Sequence, residues 1–438
     1  DMIKTIFKQI WNQRKMNLWI FLELLAVSFF LWLVLDPVYV LNVNKQTPGG
    51  YENEGRYVLN LGSYFPGHGD YDTTANNVLR KEAFMRIVRI VRDQPEVECI
   101  SISGSNAFPN AGGFYGDGFF SDTTQAAKDK GITVMWTENM CEEGSQFFQT
   151  YGMKDARNGK EIIVPSDAVE RGLCFISAET AKKLYGTVEV VGKKIFHAGG
   201  QLSSEIGGVF EDYKSRDYNQ PYPFAVLFKK EKGFRDGYPK YNVVLKLKEG
   251  VNAETFETRF MKEVAPQLKQ GNYFLNKLET FEEVGDDFAK SQGIHVKLNT
   301  QFTLAAFALL CIFLGTLGTF WVRCDDRRQD IGVMRSLGAS KATIIRQFFV
   351  ETGLLVTLAF VCALPFLMHY IHESGMYYAV IIGEPKDSLT VWWLETMPHF
   401  CMVSLLTYAI LLLIALLGTY IPVSRAAKVL PANALRDE

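Results

Sequence analysis

Residues 323–346 read RCDDRRQDIGVMRSLGASKATIIR, a polar stretch between two long apolar runs, 299–322 and 346–370. Runs of that length suffice to cross a bilayer whose hydrocarbon core is about 30 Å thick. The stretch is therefore a loop at a membrane surface. Its basic residues are Arg323, Arg327, Arg328, Arg335, Lys341 and Arg346. An excess of Lys and Arg marks the cytoplasmic side, which places this loop inside the cell. Ile331, Met334, Arg335 and Gly338 recur at helical spacing, and Val333 and Leu337 lie four apart. That pattern predicts a short amphipathic helix with an apolar strip. Gly338 is its C-terminal stop, and Ser340 caps the helix that follows. The strip needs cover from lipid or from a partner's groove.

Outward from this loop, two further apolar runs complete the membrane part: 17–41 and 397–421. Residues 1–16 alternate apolar and basic groups and read as a cytoplasmic amphipathic helix. The 17–41 run is too long for a signal peptide and has no A-x-A-like site after it, so it reads as an uncleaved anchor. Glu23 lies about two turns into this run and reads as a snorkelling or helix-contacting carboxylate. Gly315 and Gly318, with Thr316 and Thr319, offer the second span a small-residue face for close packing. Pro365 is expected to kink the third. The short loop 371–396 carries Glu373, Glu384, Asp387 and Glu395 against one Lys386, so it faces outside. The tail 422–438 then ends inside.

Residues 42–298 form a polar middle that must lie outside. Strand-like runs cover 56–61, 97–103, 132–136, 161–164, 207–210, 224–228 and 243–247. Helical patterns cover 78–92, 178–184, 253–268 and a segment near 279–290. The irregular alternation predicts an α+β domain in two lobes. Residues 104–118, GSNAFPNAGGFYGDG, read as a long Gly-rich connection. The fold class is thus a membrane protein: four transmembrane helices plus an α+β extracytoplasmic domain between helices 1 and 2.

The chain has 438 residues and net charge −2, which leaves no electrostatic footprint for nucleic acid. Cys99, Cys141 and Cys174 are the cysteines of the polar middle, an odd number that fits no complete disulfide framework. No P-loop appears: Gly192-Lys193-Lys194 has the wrong spacing and lacks Ser or Thr after the Lys. His68, Asp70 and Asp72 sit in PGHGDYD, which reads as a polar turn rather than a metal site. His369 and His372 supply only half of a zinc site and read as interfacial. No G-x-S-x-G or H-E-x-x-H pattern is present.

Two motifs and three pieces of the polar middle carry a family resemblance. DDRRQDIGVMRSLGAS resembles the cytoplasmic motif of FtsX/MacB-type permeases of ABC transporters, of the form R-R-x-E-I-G-x-M-R-A-L-G-A-S, with Asp330 for the usual Glu and Ser336 for the usual Ala. PVSRAAKVLPANALR resembles the family's closing pattern, with Pro422, Arg425, Ala426, Ala427, Pro431, Ala434, Leu435 and Arg436 in place. FFQTYGMKDARNGKEI, CFISAETAKKLYGTVEVVGKKI and IGGVFEDYKSRDYNQPYPFAVL are similar to the MacB-type periplasmic core domain, with Ser177 capping a helix that Gly186 ends.

The resemblance implies that the 323–345 loop carries a coupling helix docking in the groove of an ATPase. Its residues would be Arg327, Arg328, Asp330, Ile331, Gly332, Met334, Arg335, Leu337 and Gly338. Ile331, Met334 and Leu337 would be the apolar anchors. Arg327, Arg328 and Arg335 would pair with an acidic rim or with lipid phosphate. The implied assembly holds two permease chains, identical or related, and a cytoplasmic ABC ATPase dimer in a bacterial inner membrane, with both termini cytoplasmic. ATP and Mg would be bound by that partner, with no cofactor and no enzyme activity in this chain. A periplasmic cargo or adaptor would meet the outer domain. The alternatives are a membrane-anchored regulator controlling a cell-wall hydrolase through that domain, and a stand-alone membrane enzyme.

Overall fold

The computed structural model describes residues 14–104, 107–111, 115–139, 146–197, 203–228, 241–374 and 392–428. The expected amphipathic helix at 1–16 lies almost wholly outside them, as do most of the 371–396 loop and the tail beyond 428. The chain divides into two compact units, residues 1–43 with 293–438, and residues 44–292.

The first unit is helical. Helix α1 runs Arg14–Gln46 and passes through Pro37 without breaking. The elements that complete the unit come after the other domain in sequence. In the second unit, strand β1 is Arg56–Ser63, followed by helix α2, Asn77–Arg92, whose Asn76 cap accepts from Val78 and Leu79 N–H. Strands β2, Val97–Gly104, β3, Tyr115–Phe120, and β4, Ile132–Asn139, come next. Then come β5, Cys174–Ser177, helix α3, Ala178–Tyr185, β6, Lys194–His197, β7, Ser203–Phe210, and β8, Phe224–Phe228. The unit closes with β9, Tyr241–Leu247, helix α4, Ala253–Arg259, β10, Tyr273–Thr280, and helix α5, Phe281–Ser291.

All ten strands form one sheet, in the order β10-β1-β9-β2-β4-β3-β6-β7-β5-β8, and β4 also pairs with β8. That last pairing is parallel and closes the six strands from β4 to β8 into a ring. The other four strands are antiparallel. The two halves join through one pair, Ser103 opposite Asn139. Each half has its own core. The four-stranded half packs Leu59, Ile100 and Val243 against Phe84 and Val88 of α2 and Phe256 of α4. The ring encloses Phe119, Val134, Ile176, Ile195, Val209 and Leu227. A third cluster, with Phe147, Phe148, Tyr151 and Phe210, includes Val58 of β1 and Val226 of β8 and so spans both halves.

Local chemistry explains the boundaries. Ser177 accepts from Thr180 N–H at the start of α3, and Gly186 ends that helix at φ +73°. Thr280 and Glu283 form a reciprocal capping box on α5. Three expectations need correction. The 161–164 run makes only an isolated bridge, Lys154 to Glu161. The 253–268 pattern is α-helical only to Arg259, then π over 260–264 and 3-10 over 265–268. Pro266 has no N–H to continue an α ladder there. The 104–118 connection gives way to strand β3 at Tyr115.

The remaining helices of the first unit are α6, Ile294–Asp326, α7, Arg328–Ser336, α8, Lys341–Ser374, and α9, Trp392–Ala426. Among the described residues, four helices are long and apolar enough to cross a membrane: Leu18–Gln46, Ile294–Asp326, Lys341–Ser374 and Met397–Ala426. Their common core holds Ile20 and Leu24 of α1, Ile312 of α6, Leu355 and Ala359 of α8, and Leu411 and Ala415 of α9. Outward residues such as Phe307, Leu310 and Leu405 are more than half exposed, as hydrocarbon-facing side chains are. Pro365 lies inside α8, which continues through it.

Close approach uses small residues. A Cβ on Gly418 of α9 would lie 2.1 Å from Thr316 Oγ1 of α6. A Cβ on Gly315 would lie 2.0 Å from Glu23 Oε1, so Glu23 contacts α6 with its carboxylate. Gly318 faces open space.

Candidate coupling site

The link between α6 and α8 is built from its glycine outward. Gly338 takes φ +92°, a conformation costly for any L side chain. Its N–H donates to Arg335 O, and Ala339 N–H donates to Met334 O, which together close the C-terminus of α7. Arg335 Nη1 donates to Ala339 O at 3.0 Å. Ser340 Oγ accepts from Thr343 N–H at 3.1 Å and starts α8.

Helix α7 divides its apolar residues between two directions. Ile331 is 2% exposed and packs among Phe320 of α6, Ile344 and Phe348 of α8, and Val423 and Ala427 at the end of α9. Met334 is partly buried against the same cluster, and Gly332 is buried. Leu337 is 82% exposed and Val333 45%. Arg328 and Asp330 are exposed. The nine residues singled out from the sequence therefore do not form one outward face. Ile331 and Arg327 turn inward, because the helix sits against three others that offer it an apolar floor and a buried anion.

That anion is Glu351 of α8. Arg323 Nη1 meets Glu351 Oε1 at 2.7 Å, and Arg327 Nη1 meets Glu351 Oε2 at 3.1 Å. The side chains are 0%, 11% and 1% exposed for Arg323, Arg327 and Glu351. Each guanidinium also stacks on an aromatic ring: Arg323 lies 5.0 Å from the Phe320 centroid and Arg327 5.6 Å from that of Phe348. A carboxylate removed from water is tolerated only when paired, and guanidinium forks meet both of its oxygens. One carboxylate thus joins α8 to the end of α6 and to the first residue of the link.

Sequence reasoning missed Glu351. The available signal was a charge within an otherwise apolar span, a functional flag by default. A second polar contact, also missed, lies elsewhere in the bundle: His399 Nε2 of α9 meets Asp36 Oδ1 of α1 at 2.7 Å. The other candidates separate. His68 stacks on Tyr64, Asp70 pairs with Lys269, and Asp72 accepts from Thr74 N–H. Cys99 and Cys174 are buried thiols; Cys141 lies outside the described residues.

Comparison with known proteins bears on this arrangement. The model of the FtsX-like permease C-terminal family matches residues 302–431. The Macrolide export ATP-binding/permease protein MacB of Mannheimia succiniciproducens is 20% identical over 356 residues, 79% of this chain and 50% of the relative. The MacB of Chromobacterium violaceum is 23% identical over 333 residues, 74% of this chain and 47% of its own length. The Probable syringafactin export ATP-binding/permease protein SyfD of Pseudomonas syringae pv. tomato is 23% identical over 293 residues, 65% and 38%. The chain spans about half the length of the first of these relatives.

Two solved structures overlap the chain. The periplasmic region of MacB from Actinobacillus actinomycetemcomitans gives a TM-score of 0.33 at 12% identity, covering 55% of this chain and 95% of that one. The extracellular domain of the noncanonic ABC-type transporter YknZ from Gram-positive bacteria gives 0.31 at 13%, covering 50% and 100%. Overlaps at these scores carry no argument. The weight rests on the family match, which takes in the α7 link together with the helices that clamp it, and on the repeated alignment with MacB proteins. By these, residues 302–431 are similar to the FtsX-like permease C-terminal family, and about three quarters of the chain is similar to MacB proteins.

Proposed function

We propose that this chain is the permease subunit of a MacB/FtsX-type ABC transporter and that it transmits force. Two such chains, identical or related, would assemble with a cytoplasmic ABC ATPase dimer at the bacterial inner membrane, with both termini inside. ATP-driven closure of the ATPases would push on α7, and the four spans would relay the motion to the α+β domain at the outer face. The work done there would be export or extraction of a cargo, directly or through an adaptor. ATP and Mg would be held by the ATPase subunits. Four spans per chain are few to wall a wide channel, which favours transmission over conduction.

One observation carries this reading. Helix α7 is clamped from within by Ile331 and by Arg327 on Glu351, while Leu337 and Val333 are left exposed at its other side. A helix held rigidly to the bundle with an apolar tip outward suits a lever, and the tip suits a partner's groove. The anchors are accordingly Val333 and Leu337, with Met334 at their edge, and Arg328 and Asp330 form the polar rim.

The test is the double change Val333→Asp with Leu337→Asp in the full chain, purified from native membranes. The altered chain should insert and melt as the parent does. It should lose the copurifying ATPase and the ATP hydrolysis that comes with it. Retention of both by the altered chain overturns the coupling assignment. Ile331→Asp is the contrasting control: it should lower the melting temperature itself, because that position is buried.

A further inference from the structure

Helices α8 and α9 leave a groove of about 500 Å³ between them. Ile345, Phe349 and Gly353 recur every four residues and form its α8 wall, and Leu412 and Leu416 belong to its α9 wall. Gly353 gives the groove its depth. A Cβ there would still be 4.0 Å from Leu412 Cδ1, so the space that a larger side chain would fill stands open. Phe349 is steadied from α9 by Tyr420, the two rings 6.3 Å apart at 64°. Both walls belong to spans long and apolar enough to cross a membrane, so hydrocarbon is the medium that reaches them.

Arg346 breaks the apolar pattern. It lines the same groove, it is exposed, and it has no hydrogen bond, ion pair or ring contact among the described residues. Arg323 and Arg327 differ, because Glu351 meets their charges. Arg346 is also the first residue of the apolar run 346–370, the level at which that span enters hydrocarbon. Helical side chains lean toward the helix N-terminus, so its guanidinium is carried back to the headgroup layer while its stem follows the groove. A guanidinium there presents a fork that matches the two free oxygens of a phosphodiester. From Arg346 to Gly353 the stripe is about 10 Å long, within the roughly 15 Å of one leaflet's hydrocarbon.

Charge and shape together select the occupant. The groove accepts a chain without polar atoms and ends at a cation without a counter-ion. A zwitterionic headgroup brings its own ammonium, whereas an anionic one leaves its phosphate charge to the protein. Basic pockets between spans at the membrane surface bind anionic headgroups for this reason. We propose that an anionic phospholipid binds here, with its phosphate on Arg346 and one acyl chain lying between Phe349, Gly353, Leu412 and Leu416. This inference does not depend on the coupling reading, because it needs only the spans and its test measures lipid retention alone.

The experiment uses the full chain, stripped of lipid in detergent and offered equal amounts of phosphatidylglycerol and phosphatidylcholine, with native mass spectrometry as the readout. The parent should retain phosphatidylglycerol saturably, in roughly fivefold preference. Arg346→Gln should abolish the preference and melt as the parent does, since Arg346 has no protein partner to lose. Gly353→Leu fills the groove without altering charge and should cut phosphatidylglycerol retention to the level of Arg346→Gln. Lys341→Gln removes an exposed cation five residues earlier, about 140° round the helix, and should retain the lipid as the parent does. Equal retention of the two lipids by the parent overturns the proposal. So does a Lys341→Gln loss equal to that of Arg346→Gln, which would show diffuse attraction, or retention by Gly353→Leu equal to the parent's. Expulsion of the lipid when two chains associate would show a second copy filling the groove and overturns it as well.

Discussion

Glu351 shows how much a single side chain determines in this protein. It receives Arg323 and Arg327 in a place that water does not reach. Glu351→Ala would leave two buried guanidinium groups without their anion. Breaking a buried pair from one side costs about 3–5 kcal/mol, so the variant should show a clearly lowered melting temperature in detergent. Glu351→Gln keeps the shape and one acceptor oxygen and should fall between. A Glu351→Ala chain that melts with the parent would remove this ion pair from the structural account. The sequence displayed all three residues, but nothing in it paired them. The partners are 28 and 24 residues apart, on different helices. The same holds for Ile331: periodicity put it on an apolar strip, and only the neighbouring helices decided that it faces the bundle.

At the scale of elements, the helices meet through small residues. The sequence reading marked Gly315 and Thr316 on the second span as a close-packing face, and they are used by different partners: Glu23 of α1 lies over Gly315, and Gly418 of α9 lies on Thr316. Without a hydrophobic drive between helices in lipid, such contacts supply much of their association. Gly418→Ile would drive a branched side chain into Thr316 Oγ1 and Phe313 O, at 2.1 and 2.8 Å from the first added carbon. Overpacking of this kind costs about 1–3 kcal/mol. Thermal melting of the solubilised chain should fall accordingly, whereas Gly318→Ile, in open space, should leave it near the parent. Strands were less legible than helices. β10 is paired on one side only, with β1, and carries the exposed Asn276 and Lys277 in its middle, so its apolar alternation is broken.

For the whole molecule, one acid-sensitive contact lies away from the spans. Arg157 donates from both Nε and Nη2 to Asp155, and its backbone N–H donates as well. The Arg157 hydrogen bonds hold the Asp155 carboxyl below its ordinary value, against some opposing desolvation. A depressed carboxylate pKa contributes stability that is fully present above the unfolded value, about 3.9, and is lost as pH falls through the folded one. Asp155→Asn should therefore melt below the parent at pH 6, and the gap should close as pH falls below about 4. A gap that stays constant across that window would exclude this titration. Tyr185 works at the other end: burial raises its phenol to about 12, so its contribution is present below pH 10 and lost on the way up to 12.

Hydropathy, charge bias and local caps are properties of short stretches, and they alone determined the four long apolar helices, the amphipathic link and the α+β character of the part between the first two spans. Ser177, Gly186, Gly338 and Ser340 act where they were read because a cap satisfies groups within a few residues of itself. Tertiary structure decided what depends on distant partners. It closed β4 to β8 into a ring through a parallel pairing, turned Ile331 and Arg327 inward while leaving Leu337 outward, and set Arg346 on a groove shared by α8 and α9. Each of these depends on which surfaces become neighbours, and burial and ion pairing are properties of neighbours rather than of the chain's order.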